Sequence, residues 1–148
     1  MNKPQFVYTT FIATTPEQLW QALTTPAFTQ QYWGGRHYET TWQVGAPIKI
    51  CKPDGGSEVH GEILQCEPPK VLAYSWNSAV LGGPPSRVTF ELSPYPATEG
   101  SIVMLKITHD EFAPEVNLGM IAMGWTAILN NLKTLLETGK PLPYAWRG

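Results

Sequence analysis

The 148 residues predict an α+β fold, an antiparallel sheet with one apolar face covered by a long carboxy-terminal helix. Three observations lead there. Short strand-like runs separated by Gly- and Pro-rich turns fill the stretch from Arg36 to His109. Ile121, Trp125, Ile128, Leu132 and Leu135 recur at helical spacings of four, three, four and three. Thirteen Gly and fourteen Pro punctuate the chain at short intervals, in the manner of a hairpin-rich fold.

In chain order, Phe6 to Ile12 is aromatic and β-branched, which predicts a first strand but leaves its inward parity open. Thr15-Pro16-Glu17-Gln18 reads as a helix start, with Thr15 as cap, Pro16 at the first helical position and Gln18 closing a capping box. Leu19, Trp20 and Leu23 then face the core. Thr25-Pro26 repeats the signal and leads into a second short helix, Ala27 to Trp33, which Gly34-Gly35 terminates. Turns at Gly45-Ala46-Pro47, Asp54-Gly55-Gly56, Pro68-Pro69, Gly82-Gly83-Pro84-Pro85 and Pro94 to Gly100 separate about six further strands, arranged as a meander. Charged Arg87 and Glu91 leave Val88, Phe90 and Leu92 on the inner face, and Lys106 turns Val103, Leu105, Ile107 and His109 inward. Leu72, Tyr74, Trp76, Ile48 and Ile50 alternate in the same way. The last helix, Val116 to Thr138, is ~34 Å long at the α-helical rise, enough to lie across a whole sheet, and Gly139 with Pro141 stops it. Asn130, Asn131, Lys133, Thr134 and Glu137 fall off its apolar stripe.

The length suits one domain, residues 1–148. Hydrophobic residues at 43% and charged residues at 15%, against a typical ~25%, exclude a disordered chain. A formal net charge of -2 without a basic stripe argues against nucleic acid. No apolar run approaches the ~20 residues of a membrane span, and Met1 to Gln5 lacks the apolar core of a signal peptide, so a cytoplasmic protein is expected. If Asp54-Gly55-Gly56 turns a hairpin, Cys51 faces Ser57 or Glu58 and lies ~26 Å from Cys66 along the strand, so both are expected as free thiols. No nucleophile elbow, phosphate loop or dinucleotide fingerprint occurs. His37, His60, His109 and the two cysteines lack the short spacing of a metal site, so neither metal nor cofactor is expected. Arg36, Lys49, Lys52 and Lys70 are scattered and read as surface charge. Trp42, Tyr144 and Trp146 are candidates for an exposed patch that makes a homodimer contact, unless the tail after Gly139 folds back on the sheet.

The ordered set Thr15-Pro16-Glu17-Gln18-Leu19-Trp20, Thr25-Pro26, Tyr32-Trp33-Gly34-Gly35, Gly61-Glu62-Ile63 and Glu67-Pro68-Pro69-Lys70-Val71-Leu72-Ala73-Tyr74 carries a resemblance. It continues through Val88-Thr89-Phe90-Glu91-Leu92, Thr108-His109-Asp110-Glu111-Phe112 and Gly124-Trp125, spanning about residues 6 to 139. The chain resembles proteins homologous to the carboxy-terminal domain of the activator of heat-shock protein 90 ATPase, within the helix-grip superfamily. That resemblance implies a curved antiparallel sheet of six or seven strands gripping the carboxy-terminal helix. A cavity usually lies between them, as in START-related lipid carriers, polyketide cyclases and birch-allergen-type proteins. The eukaryotic activator has an additional amino-terminal domain that contributes to chaperone binding, whereas here the first strand opens the chain, which sets chaperone activation behind ligand binding as an expectation.

Trp33, Tyr74, Trp76, Phe90 and Trp125 would wall an apolar pocket, completed by Ile50, Ile107, Ile121 and Leu129, with the Tyr74 hydroxyl and His109 orienting a guest. Plain core packing is the alternative for each. Gly119 and Gly124 cost ~1 kcal/mol each against alanine inside a helix, which calls for either a close backbone approach or open space. His109 beside Asp110 and Glu111 is the candidate for acid–base work, although strand alternation points Asp110 away from it. The leading expectation is a non-enzymatic binding protein for a small hydrophobic molecule, lipid or polyketide-like. Burying ~300 Å² of such a guest at ~25 cal/mol per Å² contributes ~7 kcal/mol before immobilisation costs. A cyclase or hydrolase-like enzyme using His109, and a co-chaperone-like interaction protein, are the alternatives.

Overall fold

The computed structural model describes residues 4–78 and 84–145; Gly82, Gly83 and Trp146 of the readings above lie outside these described residues. The elements follow as β1 (Phe6–Ile12), α1 (Pro16–Thr24), α2 (Pro26–Tyr32), β2 (His37–Glu39), β3 (Pro47–Cys51), β4 (Ser57–Glu67), β5 (Val71–Ser78), β6 (Ser86–Tyr95), β7 (Ile102–Asp110) and α3 (Leu118–Thr138). The seven strands form one curved antiparallel sheet in the order β1-β7-β6-β5-β4-β3-β2. β2 to β7 are the expected meander, and β1 is laid against β7 to complete it.

Register settles the parity of β1. Phe6 stands opposite His109, Tyr8 opposite Ile107 and Ile12 opposite Val103, so Phe6, Tyr8 and Ile12 share the inner face while Val7 and Phe11 look outward. Across the sheet the inner rows continue from Ile107 to Phe90 to Leu72 and from His109 to Val88 to Tyr74. Register shifts at Ile50/Cys51 and Ile63/Gln65 add the bulges that bend a sheet. Gly61 sits between them, where an added Cβ would fall 1.8 Å from the Ser75 carbonyl oxygen, so only glycine lets β4 and β5 approach this closely.

Thr15 caps α1 by accepting from the Gln18 amide at 3.2 Å, as expected. The Gln18 side chain instead accepts from the Thr14 hydroxyl at 3.1 Å. α2 starts at Pro26 and ends one residue before the predicted Trp33, which occupies the cap ahead of Gly34 and Gly35, both at positive φ. Together α1 and α2 carry the chain from β1 at one edge of the sheet to β2 at the other. α3 begins two residues later than predicted because the Asn117 side chain caps it, accepting from the Met120 amide at 3.2 Å, and Gly139 closes it in the left-handed region.

The stripe Ile121, Trp125, Ile128, Leu132 and Leu135 is buried, and Leu129 joins it. Two polar assignments need correction. Asn131 is fully buried: its amide donates to the Tyr32 carbonyl at 3.1 Å, and its Oδ1 accepts from the Leu142 amide, so the tail returns onto α3 at Leu142. Arg36 is not a solvated surface charge; it is buried and ion-paired with Glu58. Cys51 and Cys66 are free thiols. Among the described residues, no helix is long and apolar enough to cross a membrane.

Candidate functional site

Between the concave face of the sheet and α3 lies a continuous run of aromatic rings. Trp125, projecting from α3, has its ring centroid 5.6 Å from Trp76, 5.8 Å from Trp33 and 5.8 Å from Phe90. Towards β2 the run continues through Tyr38, whose hydroxyl meets that of Tyr74 at 2.6 Å. Desolvation raises both phenols above their ordinary range, so the pair is neutral.

At the other end stands His109, fully buried as the penultimate residue of β7. The indole N–H of Trp125 can only donate, so His109 Nδ1, 3.0 Å away, is the acceptor. The ring proton is therefore on Nε2, which donates to Ser86 Oγ at 2.7 Å, and Ser86 in turn donates to the Trp76 carbonyl at 3.3 Å. Phe112 packs against the imidazole at a tilt of 38°, with ring centroids 4.3 Å apart. Burial pushes the His109 pKa down to about 3. Asp110 points to the outer face and takes Arg87 in a two-bond pair at 3.1 and 2.8 Å, as strand alternation requires. At neutral pH this imidazole has neither a free lone pair nor a proton in excess to give.

The fold brings all ten proposed ligand contacts to one interior. Trp33, Ile50, Tyr74, Phe90, Ile107, His109, Ile121, Trp125 and Leu129 are buried and Trp76 is half-buried. Eight of them belong to one buried hydrophobic cluster, with Trp76 packed against it and His109 set against the Trp76 and Trp125 rings. A cavity of about 20 Å³, room for one water, lies at the end of the grip and is lined by Trp76, Pro84, Ser86, Phe112, Ala113, Glu115 and Val116. Trp76 is the one member of the ten that reaches it. Its indole nitrogen is buried without a hydrogen-bond partner among the described residues. The sequence reading passed over Ser86 and Phe112. Ser86 had a signal, since it shares the parity of Val88 and Phe90 and stands opposite Trp76. Phe112 had none: it returns to His109 because Glu111 adopts a φ of 61°. In α3, a Cβ on Gly124 would meet nothing within 4 Å and one on Gly119 only Asn117 Oδ1 at 3.4 Å, which removes close backbone packing as the reason for either glycine.

The family Activator of Hsp90 ATPase homolog 1-like protein matches residues 13–137, from the end of β1 to the last turn of α3. The chain belongs to that family. Among solved structures, this Hsp90 ATPase activator homolog 1-like chain is similar to a protein of Mesorhizobium loti at 31% identity, covering 90% of this chain and 96% of the other with a TM-score of 0.75. The Aha1 dimer from Colwellia psychrerythraea shares the fold at 22% identity, 93% and 98% coverage and a TM-score of 0.73. DynU16, from the dynemicin biosynthetic locus, shares it at 24% identity, 97% and 51% coverage and a TM-score of 0.77. No curated protein matches the sequence significantly.

Away from the grip, the histidines and cysteines weighed as metal donors separate. His60 is exposed beside the Ser57 hydroxyl, and His109 is enclosed as described. His37 and Cys51, however, are direct partners across β2 and β3, and Glu39 joins them, 3.3 Å from His37 Nε2 and with a carboxylate oxygen within 4.8 Å of the Cys51 sulfur.

Proposed function

We propose that this family member binds a small, mostly apolar molecule that carries a hydrogen-bond acceptor, seated at the end of the grip beside Trp76. The observation that carries the reading is the buried, unpartnered Trp76 indole N–H in a residue that lines the cavity. Leaving such a donor unmade costs about 1–3 kcal/mol, which a carbonyl or carboxylate oxygen on the guest recovers. A lipid or polyketide-like acid has that chemistry. Ligand pockets usually hold about 300–1,000 Å³, so the roughly 20 Å³ present must widen on binding. The segment placed to move is the β7–α3 loop with the first turns of α3, where Met120, Met123 and Gly124 are exposed.

The test is a titration with fatty acids, sterols and aromatic polyketides followed by tryptophan fluorescence. A saturable change is expected for an acceptor-bearing guest, weakened about 5- to 30-fold in Trp76→Phe, which keeps the ring and loses the donor. No saturable change with any of the panel overturns the reading. Catalysis through His109 is weaker, because both ring nitrogens are engaged and the ring is neutral. A chaperone-directed role has its own support in the family and in the fold shared with an Hsp90 activator from Plasmodium falciparum. Its test is co-precipitation with Hsp90 and stimulation of ATP hydrolysis, and absence of both removes it.

A further inference from the structure

We propose that His37, Glu39 and Cys51 form a binding site for a divalent ion of the zinc class, at the β2–β3 edge and separate from the aromatic grip. Tyr38 points into the core, so its neighbours His37 and Glu39 project from the opposite face of β2. Antiparallel pairing puts Cys51 directly across from His37. One donor atom from each of the three side chains lies within 4.8 Å of the others. A tetrahedral ion with bonds of about 2.0–2.3 Å spaces its ligands by roughly 3.3–3.8 Å, so small side-chain rotations close the set. Glu39 is exposed and free to make them.

The donor types are a thiol, an imidazole and a carboxylate, the combination that suits a borderline ion such as Zn²⁺. Three protein ligands leave a fourth position for water. His37 also differs from His109 in a way that bears on binding. His109 has both ring nitrogens satisfied by the fold, whereas His37 turns Nε2 towards the exposed Glu39 carboxylate, 3.3 Å away, so in the tautomer with its proton on Nδ1 the Nε2 lone pair faces the cluster. On binding, the Cys51 thiol loses its proton to solvent and the thiolate sulfur bonds the ion, so that one thiolate and one carboxylate balance its two charges. Lys49, across from Glu39 on β3, is a cation facing the same group and opposes the ion electrostatically.

Titration of the reduced protein with Co²⁺ reads the site directly. The expected result is a thiolate-to-metal charge-transfer band that saturates at one ion per chain and is bleached by Zn²⁺. The band disappears in Cys51→Ala and persists in Cys66→Ala. Affinity falls at least about tenfold in His37→Gln and in Glu39→Gln, and rises a few-fold in Lys49→Gln. Should Cys51→Ala fail to fold, the exposed Glu39→Gln and the half-buried His37→Gln decide. No band, a band that follows Cys66, or unchanged affinity in both variants overturns the proposal.

Discussion

His109 shows how a single buried side chain acquires a defined chemical state from its neighbours. Trp125 fixes the acceptor nitrogen, Ser86 accepts the hydrogen bond from the protonated one, and burial holds the ring neutral with a pKa of about 3. An unfolded histidine titrates near 6.5, so between about pH 6.5 and 3 the unfolded chain binds the extra proton. The contribution of His109 to stability is therefore complete above pH 6.5 and is lost as the pH falls towards 3, amounting to about 3 kcal/mol by pH 4. Urea denaturation of wild type and His109→Gln across this range checks it, and the variant is expected to show the shallower pH dependence. The Tyr38–Tyr74 hydroxyl pair gives a second expectation. Tyr74→Phe strands the Tyr38 hydroxyl and costs about 1–3 kcal/mol, whereas the double Phe variant costs less than the two single changes summed, which a double-mutant cycle measures. The sequence placed His109 and Tyr74 inward through strand alternation, but their hydrogen-bond partners come from other elements and no local pattern encodes them.

Among the elements, β4 and α3 carry glycines of opposite consequence. Gly61→Ala drives a methyl into the Ser75 carbonyl and is expected to cost several kcal/mol or prevent folding, read as a lowered thermal midpoint. Gly124→Ala meets open space and is expected to stabilise by about 1 kcal/mol, with a raised midpoint. The apolar spacing of α3 was legible because it repeats within one helix. The burial of Asn131 was not, since its partners Tyr32 and Leu142 approach only after α2 and the tail have docked. Likewise, β2 has three residues, too few for periodicity to reveal that His37 and Cys51 would face each other.

At the level of the whole molecule, the meander and its covering helix followed from turn spacing and one apolar stripe, while the fill of the interior did not. Whether Trp33, Trp76 and Trp125 surround a void or close on one another depends on ring orientation, and here they close. Asn131 then acts globally, joining α2, α3 and the tail. Asn131→Ala is expected to cost about 2–3 kcal/mol and to speed hydrogen exchange at the Leu142 amide beyond the effect of equal destabilisation elsewhere.

The placement of β1 against β7 carries a consequence for biosynthesis. A ribosome delivers Phe6 to Ile12 well before their partners, His109 to Val103, which emerge only after the two short helices and the strands between have been made. The nascent segment, with Val7 and Phe11 among its residues, must wait unpaired through translation, so co-translational chaperoning of that early stretch would matter more than for a fold whose opening strand finds a neighbour at once.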